Sequence, residues 1–186
     1  MKKIQIHYMC KVIEKMNEIS ILMHLLSRKK NIYQIGATKE EILEVLNVKS
    51  KNNSIYFQNL INGLSNYLIP LGLQVKFNSL NSHWYLNYDN EVTELISANP
   101  FEGRPSLAAT LLCTLTSCLK NSGTSSIQEI KKLRSKKDVI DDLKELEKKG
   151  YLIIDKTTNQ VQLTPLIGYK LDLHKLLVKL SLKLKE

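Results

Sequence analysis

Apolar residues recur at three- and four-residue spacing near the start of the chain. Val12, Ile13, Met16, Ile19, Met23 and Leu26 follow that period, with Lys11, Glu14, Lys15 and Glu18 between them. This predicts a helix from Met9 with one buried stripe, ending in the polar run Ser27 to Asn31. Thr38-Lys39-Glu40-Glu41 then has the form of a capping box. In that motif a hydroxyl and a carboxylate satisfy the amides left over at a helix start, so a short helix is expected over Ile42 to Leu46. Ile55, Phe57, Leu60, Ile61, Leu64 and Leu68 predict a third helix, which must stop by Pro70 and Gly72. Two strands follow, Leu73 to Phe77 and His83 to Asn87, around the turn Asn78 to Ser82.

The second half repeats this order. Leu107, Leu111, Leu112 and Leu115 predict a helix that the polar segment Asn121 to Thr124 ends. Ser126-Ile127-Gln128-Glu129 is a second capping box, opening a short helix through Ile130 and Leu133. A third helix directs Val139, Ile140, Leu143 and Leu146 inward and stops at Gly150. Tyr151 to Ile154 and Val161 to Thr164 then flank a turn. Helix, capped short helix, helix and hairpin is the order of a winged helix, a helix-turn-helix with a β-hairpin wing. The fold class is therefore mainly α with small β-hairpins (α+β), as tandem winged helices. Gly72 and Gly150 fall in equivalent places.

Pro and Gly mark Asn99 to Pro105 as connecting chain. The expected organisation is one winged-helix domain over 1–88, a linker over 89–105 with a helical turn near Glu91 to Ser97, a second winged helix over 106–165, and a C-terminal amphipathic helix over 166–186. That last segment carries a leucine stripe, Leu173, Leu176, Leu177, Leu180 and Leu184, on a lysine-rich background. Such a stripe usually packs within its own domain. The alternative is a docking surface for a partner.

Charge changes this picture. The chain of 186 residues has 27 basic and 18 acidic residues, a formal net charge of +9. Residues 106 to 186 hold 15 basic and 9 acidic of these, or +6, against 12 and 9, or +3, before them. The densest cluster is Lys131, Lys132, Arg134, Lys136 and Lys137, with no acid among them, and it is the expected phosphate-contacting site. The helices that would enter a DNA groove fit less well. The third helix of the second copy carries Asp138, Asp141, Asp142, Glu145 and Glu147, which phosphates repel. Its counterpart in the first copy offers Ser54, Gln58, Asn59, Asn62, Ser65 and Asn66, and no Lys or Arg lies between Asn52 and Leu73.

Catalytic chemistry is not evident. His7, His24, His83 and His174 are scattered, the seven glycines form no phosphate-cradling loop, and no metal-ligand spacing occurs. No cofactor or metal is expected. Cys10, Cys113 and Cys118 read as three buried thiols in a reducing compartment. Trp84 is expected to anchor the first wing to its helices. With neither a signal peptide nor an apolar run of membrane-spanning length, the chain is expected in the cytoplasm.

Several segments resemble the segregation and condensation protein B family. Leu107-Ala108-Ala109-Thr110-Leu111-Leu112 is similar to that family's opening helix, and Ser126 to Arg134 to its capped helix. Val139-Ile140 through Leu146-Glu147-Lys148-Lys149-Gly150-Tyr151-Leu152 is similar to its third helix and wing. Gly72-Leu73-Gln74-Val75 and Trp84-Tyr85-Leu86 match in the first copy. The resemblance implies a non-enzymatic chromosome-segregation subunit, nucleoid-associated and homodimeric, that binds the kleisin of an SMC complex. The alternative from another class is a tandem winged-helix transcriptional regulator.

Overall fold

Each half of the chain closes a three-stranded antiparallel sheet in the same order: the first strand pairs with the third, and the third with the second. The computed structural model describes residues 17–48, 53–89, 101–135 and 139–171. These fall in two units divided between Ile96 and Ser97. The predicted helical turn near Glu91 to Ser97, residues 9–16 of the first helix, Lys136, Lys137 and the leucine stripe from Leu173 to Leu184 lie outside the described residues.

The first unit runs α1 (17–27), β1 (Lys29–Asn31), β2 (Gln34–Ile35), β3 (Ala37–Thr38), α2 (Lys39–Val45), α3 (Asn53–Leu68), a 3-10 turn (Ile69–Leu71), β4 (Leu73–Asn78) and β5 (His83–Tyr88). Its core is Leu22, Leu25 and Leu26 of α1, Ile42 and Leu43 of α2, and Phe57, Leu60, Ile61, Leu64 and Leu68 of α3. Trp84 joins the sheet to this core as the sequence predicts. Its ring meets Phe57 edge-on at 5.3 Å and Phe77 at 5.0 Å. Tyr56 donates to Glu18 at 2.7 Å, tying α3 to α1, and burial together with that carboxylate pushes the phenol up to about 12.

Three strands of the first unit escape the sequence pattern. The polar run after α1 is a hairpin, β1 with β2, whose residues are too few to alternate. Gly36 closes it by donating to the Arg28 carbonyl at 2.7 Å. The next strand, β3, is two residues long and pairs Ala37 with Trp84 and Thr38 with His83. Thr38 is also the helix cap: its hydroxyl accepts from Glu41 N–H at 3.2 Å, and the Glu41 side chain accepts from Thr38 N–H, also at 3.2 Å. A hydrogen bond from Lys30 holds the Glu41 carboxyl below its ordinary 4.5; slight burial opposes this and the Thr38 amide adds to it.

The second unit runs α4 (Pro105–Lys120), β6 (Thr124–Ser126), α5 (Ile127–Arg134), α6 (Val139–Lys148), β7 (Leu152–Asp155), β8 (Gln160–Leu163) and α7 (Leu166–Lys170). Ser126 repeats the double role of Thr38: it pairs with Gln160 in the sheet and accepts from Glu129 N–H at 3.2 Å. Leu107, Leu111, Leu115, Ile130, Val139, Leu143, Leu146, Leu152, Val161 and Ile167 form the buried interior. Ile140, read as inward, is exposed, because it lies one residue off the stripe made by Val139, Leu143 and Leu146. Cys113 is half-buried rather than buried; Cys118 is buried, its thiol directed to the Val161 carbonyl at 3.6 Å and pushed up to about 11 by desolvation. Phe101 stacks on Tyr151 at 6.0 Å and Arg104 pairs with Glu145, so residues 101–104 are fastened to this unit. The helical segment at 166 closes at Leu171, which is extended. Gly72 and Gly150 both take left-handed backbone, φ 66° and 78°, at the entry to their hairpins.

Gly36 is tightly enclosed. Its φ is +81°, and a Cβ there would stand 1.9 Å from the Trp84 carbonyl oxygen. Gly36→Ala should lower the stability of the first unit by about 2 kcal/mol or more, from left-handed strain plus the clash, read as an earlier thermal transition. Glu41→Gln tests the cap. The depressed Glu41 pKa adds stability that is present above the ordinary carboxylate range and is lost as pH falls through the folded value. Melting temperature measured downward from pH 7 should therefore lose part of its acid limb in Glu41→Gln, the difference at pH 7 being at most about 1 kcal/mol because the ion pair is screened.

Candidate interaction surfaces

A strand–helix–helix–hairpin unit whose first strand pairs with the third places its third helix, α3 or α6, where a groove-reading helix would sit. The two helices present different surfaces. On α3 the buried side is Phe57, Leu60, Ile61, Leu64 and Leu68, so Ile55, Asn59, Asn62 and Asn66 face solvent. Beyond its end stand Ile69 and Leu71. Ile55, Tyr67, Ile69 and Leu71 are 65%, 61%, 69% and 65% exposed, and no charged residue occurs from Asn52 through Val75. Lys39 of α2 reaches the start of α3, where it donates to Ser54 at 2.9 Å and lies 5.7 Å from the centre of the Phe57 ring.

On α6 the acid-rich outward face expected from the sequence is only partly there. Asp142 turns inward and accepts from Ser106 at 3.0 Å and Thr110 at 2.7 Å. Glu145 pairs with Arg104 and with Lys149 at 3.9 Å, and Glu147 accepts the Ile154 N–H at 2.9 Å. The physical reason is that an acid beside a half-buried hydroxyl or an open strand amide gains more from bonding it than from facing water. What α6 exposes is Ile140, Asp141, Lys144 and Lys148, with Lys144 3.7 Å from Asp141. Asp138 lies outside the described residues.

The expected phosphate site divides. Lys131, Lys132 and Arg134 occupy the last turn of α5, where cations also offset the helix dipole. Lys132 is exposed and Lys131 half-buried, while Arg134 folds back on α4, its Nε donating to Thr110 Oγ1 at 3.3 Å and its Nη2 to the Ser106 carbonyl at 3.4 Å. Thr110, fully buried, thus accepts from Arg134 and donates to Asp142. No periodicity announces this bridge, because it joins three helices through residues 24 and 32 positions apart. At the wing tip, Asp155 accepts from the Thr157 and Thr158 hydroxyls at 2.6 and 2.7 Å, which hold its carboxyl down at about 2.

Among the described residues no group of three or more His, Cys, Asp or Glu side chains could hold a metal ion, and no helix is long and apolar enough to cross a membrane.

The element order and the paired sheets define the class: two winged-helix units in tandem. No protein-family model and no curated protein matches the chain. Among solved structures it is similar to a conserved hypothetical protein from Chlorobium tepidum, at TM-score 0.37 and 11% identity over 80% of this chain and 90% of that one. It is also similar to ScpB from Mycobacterium tuberculosis, at TM-score 0.32 and 12% identity over 81% and 90%.

Two substitutions separate support from surface. Thr110→Val should lower the stability of the second unit by about 1–3 kcal/mol by removing one hydrogen-bond partner each from Arg134 and Asp142 at a buried position, and leave polyanion binding unchanged. Lys132→Glu should do the reverse: an unchanged thermal transition, with weaker retention on heparin.

Proposed function

We propose that the chain is a non-enzymatic accessory subunit of chromosome segregation and condensation, working in the cytoplasm at the nucleoid. Its tandem winged helices bind a kleisin/SMC-type complex, and its contact with DNA is sequence-blind. The observation that carries this reading is the exposed face of α3. A groove-reading helix commonly sets Lys or Arg beside its base contacts to hold the phosphate backbone, and this face has none from Asn52 through Val75. This face and the turn after it carry instead four large apolar residues more than half exposed, the composition of a protein-docking surface. The kleisin and SMC partner class comes from the resemblance of residues 107–112, 126–134 and 139–152 to the segregation and condensation protein B family. The leucine stripe Leu173, Leu176, Leu177, Leu180 and Leu184 is a second candidate for holding the partner.

One observation favours the other reading, a transcriptional regulator. Lys132, Lys144 and Lys148 are among the exposed lysines of the second unit, so a cationic surface exists there. Separated lysines fit point contacts with phosphates rather than bidentate base readout.

Two measurements test the proposal together. Affinity purification of the chain from the cells that make it should recover kleisin or SMC subunits. Titration against random and genomic duplexes across salt should show binding that falls steeply with salt and ignores sequence, with Lys132→Glu weakening every duplex alike and lowering the salt slope by about one. A specific duplex whose binding survives added salt, together with recovery of RNA polymerase, overturns it.

A further inference from the structure

We infer that the outer edge of β4 is a strand-addition site, which takes an extended acidic segment of a partner protein as a fourth strand of the first unit's sheet. The register decides which backbone groups are available. Asp89 N–H donates to the Gly72 carbonyl at 2.8 Å, and β4 pairs with β5 without a break from Leu73↔Tyr88 to Asn78↔His83. Bonded pairs alternate along an antiparallel ladder. Gln74 and Lys76 therefore bond to β5, while the N–H and C=O groups of Leu73, Val75 and Phe77 point away from it. Among the described residues nothing is bonded to those groups. Three donors and three acceptors in one row are what an added strand completes. Of the outer strands of the two three-stranded sheets, β4 has six residues against two, three and four for β3, β6 and β7, and it carries neither a proline nor a bulge to blunt it.

The second unit has the same edge closed. There Thr164 N–H donates to the Tyr151 carbonyl at 3.0 Å, so Leu152 and Ile154 are the outward residues of β7, and Glu147 takes the Ile154 N–H at 2.9 Å. Glu147 follows Leu146, the last buried residue of α6; Ile69 follows Leu68, the last buried residue of α3. Where the second unit places an edge-capping carboxylate, the first places an exposed apolar side chain. The 3-10 turn that holds Ile69 and Leu71 packs against β4. Leu73 and Val75 turn to the core on the α3 side, and by alternation Phe77, also exposed, stands on that side too. Alternate residues of the added strand meet Ile69, Leu71 and Phe77 and are apolar. On the other face β4 presents Lys76, the only charged residue of the strand, within a chain at +9. The residues between are therefore acidic, and their charge also speeds the encounter.

This edge is separate from the exposed face of α3 and does not depend on which complex the chain joins. The probe is a synthetic peptide of three Glu-Val repeats, blocked at both ends and added to the full chain. With peptide at about ten times its dissociation constant, hydrogen exchange of the Leu73, Val75 and Phe77 amides should slow about tenfold. The same peptide with every backbone nitrogen methylated keeps its side chains and loses its donors, and should bind about tenfold more weakly or worse. Ile69→Gln, which sets a neutral acceptor where Glu147 stands in the second unit, should weaken the unmethylated peptide about tenfold with an unchanged circular dichroism melt, since Ile69 is exposed. Amides that are not slowed by about 1 mM peptide, equal binding of the methylated peptide, or undiminished binding by Ile69→Gln overturns the inference. If the edge fails in this way while kleisin or SMC subunits are still recovered, the docking reading of α3 stands without it. A duplex that slows the same three amides, where the peptide does not, overturns both.

Discussion

In each unit one hydroxyl residue is both the end of a strand and the start of a helix, and the arrangement of the unit turns on it. Thr38 pairs with His83 and caps α2; Ser126 pairs with Gln160 and caps α5. An N-cap takes extended backbone while its carbonyl begins the helix, so the same residue can end a ladder and open a helix without a connecting loop. The capped helix is thereby fixed to the wing, and the third helix packs against both. Glu41 and Glu129 complete the device from the helix side. Glu129 also accepts from Asn121 at 2.9 Å and Ser125 at 3.1 Å, which draws the end of α4 into the same bonded group.

How much of this could be read from the sequence depends on the range of the interaction. Both capping boxes, the third helices and both wing hairpins were legible, because each rests on residues within a few positions of one another. Thr38 and Glu41 are three apart, and Phe57, Leu60, Leu64 and Leu68 repeat along a single helix. The strands β3 and β6 were not, because two or three residues cannot show alternation and their partners lie more than thirty positions away. The surfaces were half legible. Counting acids along residues 138–147 suggested a repelling face, yet Asp142, Glu145 and Glu147 bond to Thr110, Arg104 and Ile154, while Asp141 stays exposed. Arg134, apparently one more cation in a basic cluster, is drawn back onto α4 by the same long-range pairing. On α3 the pattern was already in the sequence, as an absence of charge, and the structure added which apolar residues stand in water.

The two units thus hold the same frame and expose different chemistry. The second carries most of the net charge and spends Asp142, Glu145 and Glu147 on its own hydroxyls, cations and amides, while Lys132, Lys144 and Lys148 stay exposed. The first offers an uncharged helix with apolar ends. A frame fixed by local caps and short ladders leaves the outward side of the third helix open to either use, which is why fold alone does not assign function and the faces do.

The small hairpin between α1 and β3 has a practical side. Because Gly36 N–H is bonded to the Arg28 carbonyl, the chain leaves and rejoins the body of the unit at one point, and β1 and β2 form a closed excursion whose tip is Ile32 and Tyr33. Insertions are tolerated best where both ends of a segment are already held together. That tip is where a fluorophore or affinity handle can be carried, and a shorter turn there would leave the paths of α1 and β3 as they are.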